Sequence, residues 1–394
     1  MLLLGVLTAI SPLSIDMYLP AFPAIADALG AAPGVLEWTV ATFLIGLAAG
    51  QLLYGPVSDR AGRRRPLLAG LVIYALASVV CARAMTPATF LAARLAAALG
   101  GCAALVIARA VVRDLYAVQD AARVFSILML VMGIAPILAP PFGALLLEHL
   151  GWRAIFWLLA IFGVVCTAGV ALWLPETRPG AGIAAPLSLR SVARTYAALL
   201  RDPVFTGYAL AGGVASAGMF AYIAGSPFLF VERHGFSPGQ FAILFGLNAA
   251  GLIAASQINR RRLATHAAQV VLTQALRVTA FAGLGFGVLA WSGRLPWPAL
   301  AASLFLYVGT LGFVTPNATA AALAHRGREA GAAAALLGAL YYGAATLAGL
   351  VIGAWHDGTA RPLATIMAGC GALGLLCCHA ARRTDRLGSA GRLA

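Results

Sequence analysis

The sequence predicts an all-α membrane protein with twelve transmembrane helices in two six-helix bundles. Three observations support this fold class. Of the 394 residues, 61% are hydrophobic and 10% are charged, with a mean hydropathy of +0.90, whereas soluble domains carry about 25% charged residues. Apolar runs of about 20 residues, long enough to cross a bilayer, recur along the chain. The longest polar interval, residues 175–203, divides these runs into two sets of six.

The twelve helices are predicted in order from the apolar runs. They cover residues 2–22, 36–57, 67–84, 88–111, 122–146, 154–174, 204–230, 239–258, 269–291, 298–323, 331–353 and 361–382. The first six form an N-terminal bundle within residues 1–174, and the last six form a C-terminal bundle within residues 204–382. Residues 175–203 are predicted to be a cytoplasmic linker, and residues 383–394 a cytoplasmic tail.

The linker contains apolar residues interspersed with arginines. They are Leu187, Leu189, Val192, Tyr196, Leu199 and Leu200 among Arg190, Arg194 and Arg201. This spacing is typical of a basic amphipathic helix that lies on the inner leaflet. A flexible linker with accidental periodicity explains the pattern equally well, so both interpretations remain open.

The net charge of +14 indicates membrane orientation rather than nucleic-acid binding. All 27 basic residues are arginine, and 19 of them lie in one set of alternate loops, against 5 in the other set. Because basic residues accumulate in cytoplasmic loops, the first set and both termini are predicted to be cytoplasmic. No basic segment or small-residue cleavage site precedes Asp16, which argues against a removable signal peptide. The chain is thus predicted to cross the membrane repeatedly, with this orientation.

Asp16 lies inside the first apolar segment, within the stretch SIDMYLP. A carboxylate in hydrocarbon is costly, so such an acid usually faces a polar cavity, pairs with a base or carries a proton. Pro20 lacks the N–H that would bond to the Asp16 carbonyl, which adds a second polar group at the same place. We therefore predict a proton site at Asp16. A helix-end acid that reaches the interface is the alternative.

The connection between the second and third helices reads GPVSDRAGRRR. Gly55 and Gly62 permit a tight turn with close backbone approach, and Asp59 can accept charge-assisted hydrogen bonds from guanidinium groups. Membrane orientation alone would require positive charge but not this spacing. We expect this segment, with Asp59, Arg60 and Arg63, to form a polar clasp that holds one conformation and opens in another.

These segments resemble a known family. GPVSDRAGRR is similar to the loop signature G-x-x-x-D-R-x-G-R-R of the major facilitator superfamily. The segments DMYLP from Asp16, GQLLYGP from Gly50, RAVVRD from Arg109 and PNAT from Pro316 are similar to its Bcr/CflA group of drug:proton antiporters. The resemblance covers almost the entire chain, and it implies the major facilitator fold.

Arg94 lies in the apolar run of the fourth helix, close to Gly100 and Gly101, which permit tight helix packing. It matches the membrane arginine that drug exporters of this superfamily carry in their fourth helix, so the resemblance implies a role in proton coupling. A cation near Asp16 would favour release of a proton, and its withdrawal would favour uptake. An arginine that extends outward to lipid headgroups is the alternative.

Two further segments are candidates for conformational gating. Arg109 and Arg113 lie on one face of the fourth helix with Asp114 beside them, and they either pair with Asp59 or anchor the topology. In the fifth helix, Pro136 and Pro140 should kink or loosen the backbone. The segment GIAPILAPPFG around them resembles the superfamily's antiporter motif G-x-x-x-G-P-x-x-G-G, with departures at its second glycine and in its middle.

Aromatic, amide and thioether side chains are candidates for a substrate pocket, because broad-specificity pockets are mostly apolar with few polar groups. The candidates are Met17, Tyr18, Phe43, Tyr222, Phe228, Asn248, Asn317 and Tyr341. Simple packing or interface anchoring is the alternative for each. Glu37 begins the second helix, and we expect a solvated helix-start acid there rather than a second proton site.

The resemblance implies export of drugs or other small, largely apolar compounds across the inner membrane in exchange for protons. We expect no enzymatic activity, no cofactor and no metal, with the proton gradient as the energy source. The chain contains no lysine and no G-x-x-x-x-G-K-[ST] nucleotide-binding loop. The expected partners are a small-molecule substrate, protons and the lipid bilayer, without nucleic acid, and the chain is expected to be a monomer. A proton-coupled importer or metabolite exchanger on the same fold is the alternative, and a non-transporting membrane sensor is a more remote one.

Overall fold

The computed structural model describes residues 2–116, 118–178, 189–293, 296–324 and 330–390. This part of the chain is almost entirely helical. Its α-helices are α1 Leu2–Asp16, α2 Phe22–Leu29, α3 Val35–Ala61, α4 Arg64–Arg83, α5 Pro87–Leu115, α6 Val118–Leu150, α7 Trp152–Trp173, α8 Leu189–Arg201, α9 Pro203–Pro227, α10 Pro238–Arg262, α11 Ala268–Trp291, α12 Trp297–Leu323, α13 Ala330–Ala354 and α14 Arg361–Ala390. A 3-10 turn, Leu19–Ala21, joins α1 to α2, and a π-helical turn, Phe228–Arg233, follows α9.

Twelve segments of the described chain are long and apolar enough to cross a membrane, which confirms the predicted fold class. Ten of them lie within single helices. The first, Leu2–Leu29, combines α1, the 3-10 turn and α2, whereas the seventh, Pro203–Arg233, combines α9 and the π-helical turn. The chain is therefore a multi-pass, all-α membrane protein.

Several helix boundaries differ from the prediction by four residues or more, and three of these differences concern α1, α3 and α14. The first helix is not continuous to residue 22 but ends at Asp16, because Pro20 cannot donate to the Asp16 carbonyl. α3 continues through Ala61, so Asp59 and its neighbours are helical and only two residues separate α3 from α4. α14 continues through Ala390, well past the predicted end at residue 382.

Contacts between Cα atoms divide the chain into two compact units. The first unit comprises Met1–Pro186 and Ser226–Gly246, and the second comprises Leu187–Gly225 and Leu247–Ala394. In the second unit, α11 packs closely on α14, where a Cβ at Gly371 would lie 2.9 Å from the Ala280 Cα.

In the first unit, small residues let α5 pack tightly against both α3 and α4. A Cβ at Gly50 would lie 2.5 Å from the Cβ of Cys102. A Cβ at Gly100 would lie 2.5 Å from the Gly70 carbonyl oxygen. Close backbone approach at small residues is a general means of helix association in membranes. This packing holds α5, and therefore Arg94, in the interior of the first unit.

The linker contains a helix. α8 covers Leu189–Arg201, and its Leu199 side chain is buried while Leu200 is exposed. Of the two interpretations of the linker, the helical one is therefore confirmed over these residues, and its position on the inner leaflet stays a prediction. Leu187 lies outside the described residues.

Candidate functional site

Asp16 is the last residue of α1, and its side chain is only 3% exposed. Its carboxylate forms no hydrogen bond or ion pair with any residue in the described part of the chain. The alternative of a helix-end acid that reaches the membrane interface is therefore wrong. The structure places an acidic group without a counter-charge in the interior of the first unit.

The position of Asp16 at a helix end follows from the local sequence. The last helical bond runs from the Met17 N–H to the Leu13 carbonyl, at 3.2 Å. Pro20 then supplies no donor, and the chain forms a 3-10 turn in which the Ala21 N–H bonds to the Tyr18 carbonyl at 3.0 Å. The break leaves carbonyl groups at the end of α1 available to other donors.

Arg94 uses one of these carbonyls. Its Nη1 donates to the Ser14 carbonyl oxygen at 2.9 Å, and its side chain is only 1% exposed. A cation beside the carboxyl end of a helix interacts favourably with the helix dipole. The alternative in which Arg94 extends outward to lipid headgroups is wrong, since the guanidinium is buried in the first unit.

Two aromatic rings hold the Arg94 guanidinium. Its Cζ lies 4.3 Å from the centroid of the Tyr18 ring and 4.3 Å from that of Phe43. These are cation–π distances, and such contacts strengthen when water is excluded. Nε and Nη2 of Arg94 have no hydrogen-bond partner among the described residues. We call Arg94, Tyr18 and Phe43 the arginine cage.

The cage is itself supported by hydrogen bonds and by further rings. The Tyr18 hydroxyl shares a hydrogen bond with Thr39 Oγ1 at 2.7 Å, and Ser14 Oγ shares one with the Tyr74 hydroxyl at 2.8 Å. The rings of Phe22, Phe90 and Phe156 surround Tyr18, with centroids 5.1, 6.5 and 5.7 Å away. The orientation of the Tyr18 ring against Arg94 is therefore fixed from several sides.

Asp16 and Arg94 lie in the same unit and approach the same end of α1. The arginine bonds to a backbone carbonyl two residues before Asp16, and no ion pair joins these two described side chains. Asp16 or Arg94 can therefore acquire a new partner without first breaking a salt bridge between them.

The broken end of α1 also rests on α6. A Cβ at Gly143 would overlap the carbonyl oxygen of Met17. Only glycine fits this contact without displacement of one backbone from the other. Gly143 belongs to the segment that resembles the antiporter motif, and it joins that motif to the turn directly after Asp16.

The clasp forms between the α3–α4 turn and the ends of α5 and α7. Arg63 Nε donates to Asp114 at 2.7 Å, and Arg63 Nη1 donates to Asp59 at 2.8 Å and to Ser58 Oγ at 2.9 Å. Arg178 Nη1 also donates to Asp59, at 2.8 Å. Arg63 and Arg178 are thus paired with the carboxylates of Asp59 and Asp114, and three helix ends are joined.

Glu176 completes the clasp through backbone N–H groups. Its carboxylate accepts from the N–H of Arg63 at 2.8 Å, of Arg64 at 3.1 Å and of Arg178 at 3.1 Å. Burial alone would raise the pKa of Glu176, but these N–H bonds outweigh it and hold the pKa below its ordinary value. Gly62 has φ +81°, and a Cβ there would collide with this carboxylate.

Sequence reasoning did not identify Glu176 and Arg178 as clasp residues. The available signal was the charged stretch PETR directly after the sixth apolar run. Of the two roles left open for Arg109 and Arg113, pairing with Asp59 is wrong, since Asp59 is bound by Arg63 and Arg178 instead.

Other gating candidates occupy less constrained positions. Arg109 approaches the Met132 sulfur at 3.9 Å, and Arg113 is exposed. A Cβ at Gly55 would meet no atom within 4 Å, so the expected close backbone approach is wrong there. Arg60 is only partly exposed. The fifth predicted helix, α6, remains helical through Pro136 and Pro140.

The candidate pocket residues fall into separate groups. Tyr18 and Phe43 belong to the arginine cage, and Met17 forms the turn after Asp16. In the second unit, Asn248 Nδ2 donates to the Tyr222 hydroxyl at 2.7 Å.

The remaining candidates have structural contacts of their own. Asn317 Nδ2 donates to Asn259 Oδ1 at 2.8 Å, which ties α12 to α10. Tyr341 packs against Gly212 of α9, and Phe228 begins the π-helical turn.

Glu37 is not the solvated acid that its position predicts. It lies in the first turn of α3, but its side chain is only 4% exposed and it has an interaction partner. The expectation of a solvated acid at Glu37 is therefore wrong, because the first turn of α3 is packed against other residues and not exposed to water.

The fold and the interior charges define a multi-pass membrane protein with an acid and a base in one helical bundle. The chain matches the Major Facilitator Superfamily over residues 4–349. It therefore belongs to the major facilitator superfamily, as its sequence motifs predict, and it is a transporter rather than an enzyme.

Two relatives match over nearly the full chain. An uncharacterised transporter of this superfamily from Bacillus subtilis is 36% identical over 378 residues, which span 93% of this chain and 90% of that protein. A bicyclomycin resistance protein homolog from Haemophilus influenzae is 30% identical over 375 residues, which span 95% and 94%.

Solved structures show the same architecture. A D-xylose–proton symporter superposes with a TM-score of 0.74 at 16% identity, covering 95% of this chain and 94% of that one. At this level of identity the likeness shows the fold alone.

Proposed function

We propose that this chain is a secondary active transporter that exports drugs or other small, largely apolar compounds in exchange for protons. We place it in the bacterial inner membrane with both termini in the cytoplasm, because 19 arginines lie in one set of loops. The observation that carries the proposal is the buried carboxyl of Asp16, which has no counter-charge among the described residues. The resemblance to the Bcr/CflA group and the similarity to a bicyclomycin resistance protein homolog support drugs as the substrate class.

Asp16 is the proton carrier in this mechanism. A carboxyl away from water favours its neutral form, and contact with water or a cation favours the charged form. Asp16 takes up a proton when the transporter is open to the outside. It releases the proton when the transporter is open to the cytoplasm.

Arg94 is the cation that responds to this change. In the described conformation it bonds to the Ser14 carbonyl and lies between two rings, so it is stable without a carboxylate. Once Asp16 is ionised, Nε and Nη2 of Arg94, which have no hydrogen-bond partner among the described residues, can donate to the new charge. Substrate binding that draws Arg94 toward Asp16 therefore favours proton release.

The clasp sets the balance between conformations. The bonds of Arg63 and Glu176 join the ends of α3, α5 and α7, and they stabilise whichever state keeps these ends together. Coupling requires that substrate and proton each bind the two states unequally, because a ligand without such a preference shifts no equilibrium.

The test uses inside-out membrane vesicles with an acidic lumen and a panel of cationic and neutral antibiotics. We compare the parent protein with Asp16→Asn and with the matched control Asp27→Asn, whose carboxylate is exposed on α2. A compound should dissipate the pH gradient in the parent and the control but not in Asp16→Asn.

Three outcomes contradict the proposal. An equal response of the parent and Asp16→Asn would exclude Asp16 as the coupling site. Proton flow in the parent that no compound alters would exclude antiport. Accumulation of labelled compound by intact cells, rather than its loss, would indicate the proton-coupled importer.

A further inference from the structure

Arg277 lies on the lipid-facing side of a membrane-spanning helix. It belongs to α11, and it is exposed. Phe281, Leu284 and Val288 follow it at helical spacing on the same face, and all three are exposed. An exposed stripe of large apolar side chains on a membrane span contacts lipid, so Arg277 stands at one end of a lipid-facing stripe.

The depth of Arg277 follows from the other end of this stripe. Trp291 is exposed there, and the Arg361 guanidinium lies 4.9 Å from its ring centroid. Tryptophan in this setting marks a membrane interface. Arg277 lies about 21 Å from Trp291 along the helix axis. Since the hydrocarbon core is about 30 Å thick, the Arg277 backbone lies roughly 9 Å inside the opposite boundary.

Arg277 has no hydrogen bond and no ion pair with any residue that the structure describes. The surrounding sequence also lacks an acidic side chain, since residues 247–291 include no Asp or Glu. Along α11, the next polar side chain on this face is Gln274, whose Oε1 accepts from Arg262 Nη1 at 3.3 Å. An unpaired charge at this depth is expensive unless the membrane itself supplies a partner.

We propose that Arg277, Gln274 and Arg262 form a binding site for the phosphate of an anionic phospholipid. Helical side chains point back toward the helix N-terminus, so the alkyl stem of Arg277 is directed toward the boundary at which Arg262 ends α10. Arg262 ends α10, in the run Arg260, Arg261 and Arg262, all exposed. Two guanidinium groups with an amide between them complement a phosphate that carries negative charge and accepts several hydrogen bonds.

The lipid, rather than free phosphate, is the occupant because of the apolar surface around the site. Phe281 and Leu284 continue directly from Arg277 along the helix face, so an acyl chain can lie against them while its phosphate meets the guanidinium. Free phosphate has no apolar group that could pack against this surface. The site thus recognises a phosphate and an acyl chain together.

The experiment measures the thermal unfolding of the purified full chain in neutral detergent. Phosphatidylglycerol or phosphatidylcholine is added at equal molar ratio, and inorganic phosphate is added in a third arm. For the parent, phosphatidylglycerol should raise the melting temperature more than phosphatidylcholine does, and inorganic phosphate should not. In native mass spectrometry, Arg277→Leu should retain phosphatidylglycerol about fivefold less well than the parent.

Four variants make the test specific. Arg277→Leu should lose the extra shift that phosphatidylglycerol produces, and Arg277→Lys should keep part of it. Arg262→Gln should reduce the shift without any change on the lipid-facing stripe. The matched control is Arg83→Leu, which removes an exposed arginine from the last turn of α4 and should retain the full shift.

Two results would overturn the proposal. In the first, phosphatidylglycerol shifts the parent, Arg277→Leu and Arg262→Gln equally. In the second, inorganic phosphate reproduces the shift, which would identify a free anion as the ligand. Neither result depends on transport activity, so the lipid site and the proposed function are tested separately.

Discussion

The first unit contains charged groups in two opposite arrangements. In the clasp, Arg63 bonds to both Asp59 and Asp114. In the interior, Asp16 and Arg94 approach the same helix end, yet no ion pair joins them. A paired charge resists change because breaking the pair is costly, whereas a buried charge without a partner lowers stability and favours a change of its state. The comparison agrees with a stabilising role for the clasp and with the proton exchange that we propose for the interior.

This division agrees with a general feature of functional sites, which often violate the rules that stabilise the rest of a fold. The clasp satisfies each carboxylate close to water. The interior leaves nitrogens of Arg94 without hydrogen-bond partners among the described residues. Substitutions that remove a charged group should therefore differ in the size of their effect on stability between the two regions.

The largest expected effect tests whether shape or charge holds the interior site. Gly143→Ala places a Cβ on the Met17 carbonyl, so α6 and the broken end of α1 must separate. We expect a loss of about 3 kcal/mol in the free energy of unfolding, together with loss of proton coupling. Unfolding can be followed with a thiol-reactive dye, because most of the cysteines are buried.

Gly285→Ala is the matched control for this change. Gly285 also lies within a membrane-spanning helix, but a Cβ there meets no atom within 4 Å. Its replacement should be neutral or stabilise by up to about 1 kcal/mol. An equal free energy of unfolding for the two variants would show that a Cβ at position 143 is accommodated without separating α6 from α1.

The next effect tests the clasp. Arg63→Gln leaves Asp114 without its guanidinium partner and Asp59 with only Arg178. Because the Asp59 side chain is 53% exposed, we expect about 2 kcal/mol of destabilisation, less than the 3–5 kcal/mol for fully buried pairs. Arg65→Gln, an exposed arginine in the same run, should have no measurable effect. The same dye assay compares them, and equal melting of both variants would contradict a stabilising clasp.

A smaller effect concerns Glu176, which is mostly exposed. Glu176→Gln weakens the bonds to three backbone N–H groups, and we expect a loss below about 1 kcal/mol at neutral pH. Since the pKa of Glu176 is lowered in the folded chain, its contribution is complete above the unfolded pKa and disappears as pH falls through the folded pKa. Parent and variant should therefore converge in acid. A difference that persists or grows in acid would contradict this role.

The smallest effect on stability is expected at Asp16. Asp16→Asn replaces a neutral carboxyl that has no described partner by an amide of nearly the same shape, so the free energy of unfolding should change by less than about 0.5 kcal/mol. Proton exchange should nevertheless be lost. A strong loss of stability would show that Asp16 is a structural residue and would remove the distinction between the two regions.

The sequence predicts the fold well because membrane spans have a strong local signal. Apolar runs identify each span, but they do not identify the break before Pro20, since they predict a first helix that continues to residue 22, whereas the helix ends at Asp16. Helix ends near the arginine-rich turns are less predictable, since charged residues such as Asp59 and Arg60 belong equally well to a turn or a last helical turn.

The candidate site was predictable in its residues but not in its pairing. Asp16, Arg94, Asp59 and Arg63 stand out as charges at unusual positions. The partner of Arg94, however, is a backbone carbonyl, and a backbone group has no signature in the sequence. Glu176 lies 113 residues from Arg63, and no local pattern indicates a contact at that distance along the chain.

The two positions of the Met17–Gly143 contact should differ in how many substitutions they tolerate. At position 17 the contact uses a main-chain oxygen, which every amino acid possesses, whereas at position 143 it uses the absence of a side chain. Because the Met17 side chain is only 4% exposed, a saturation library should accept several apolar residues of similar size at 17 and almost none but glycine at 143. The side chain at 17 can thus change while the backbone beside the proposed proton site stays in place.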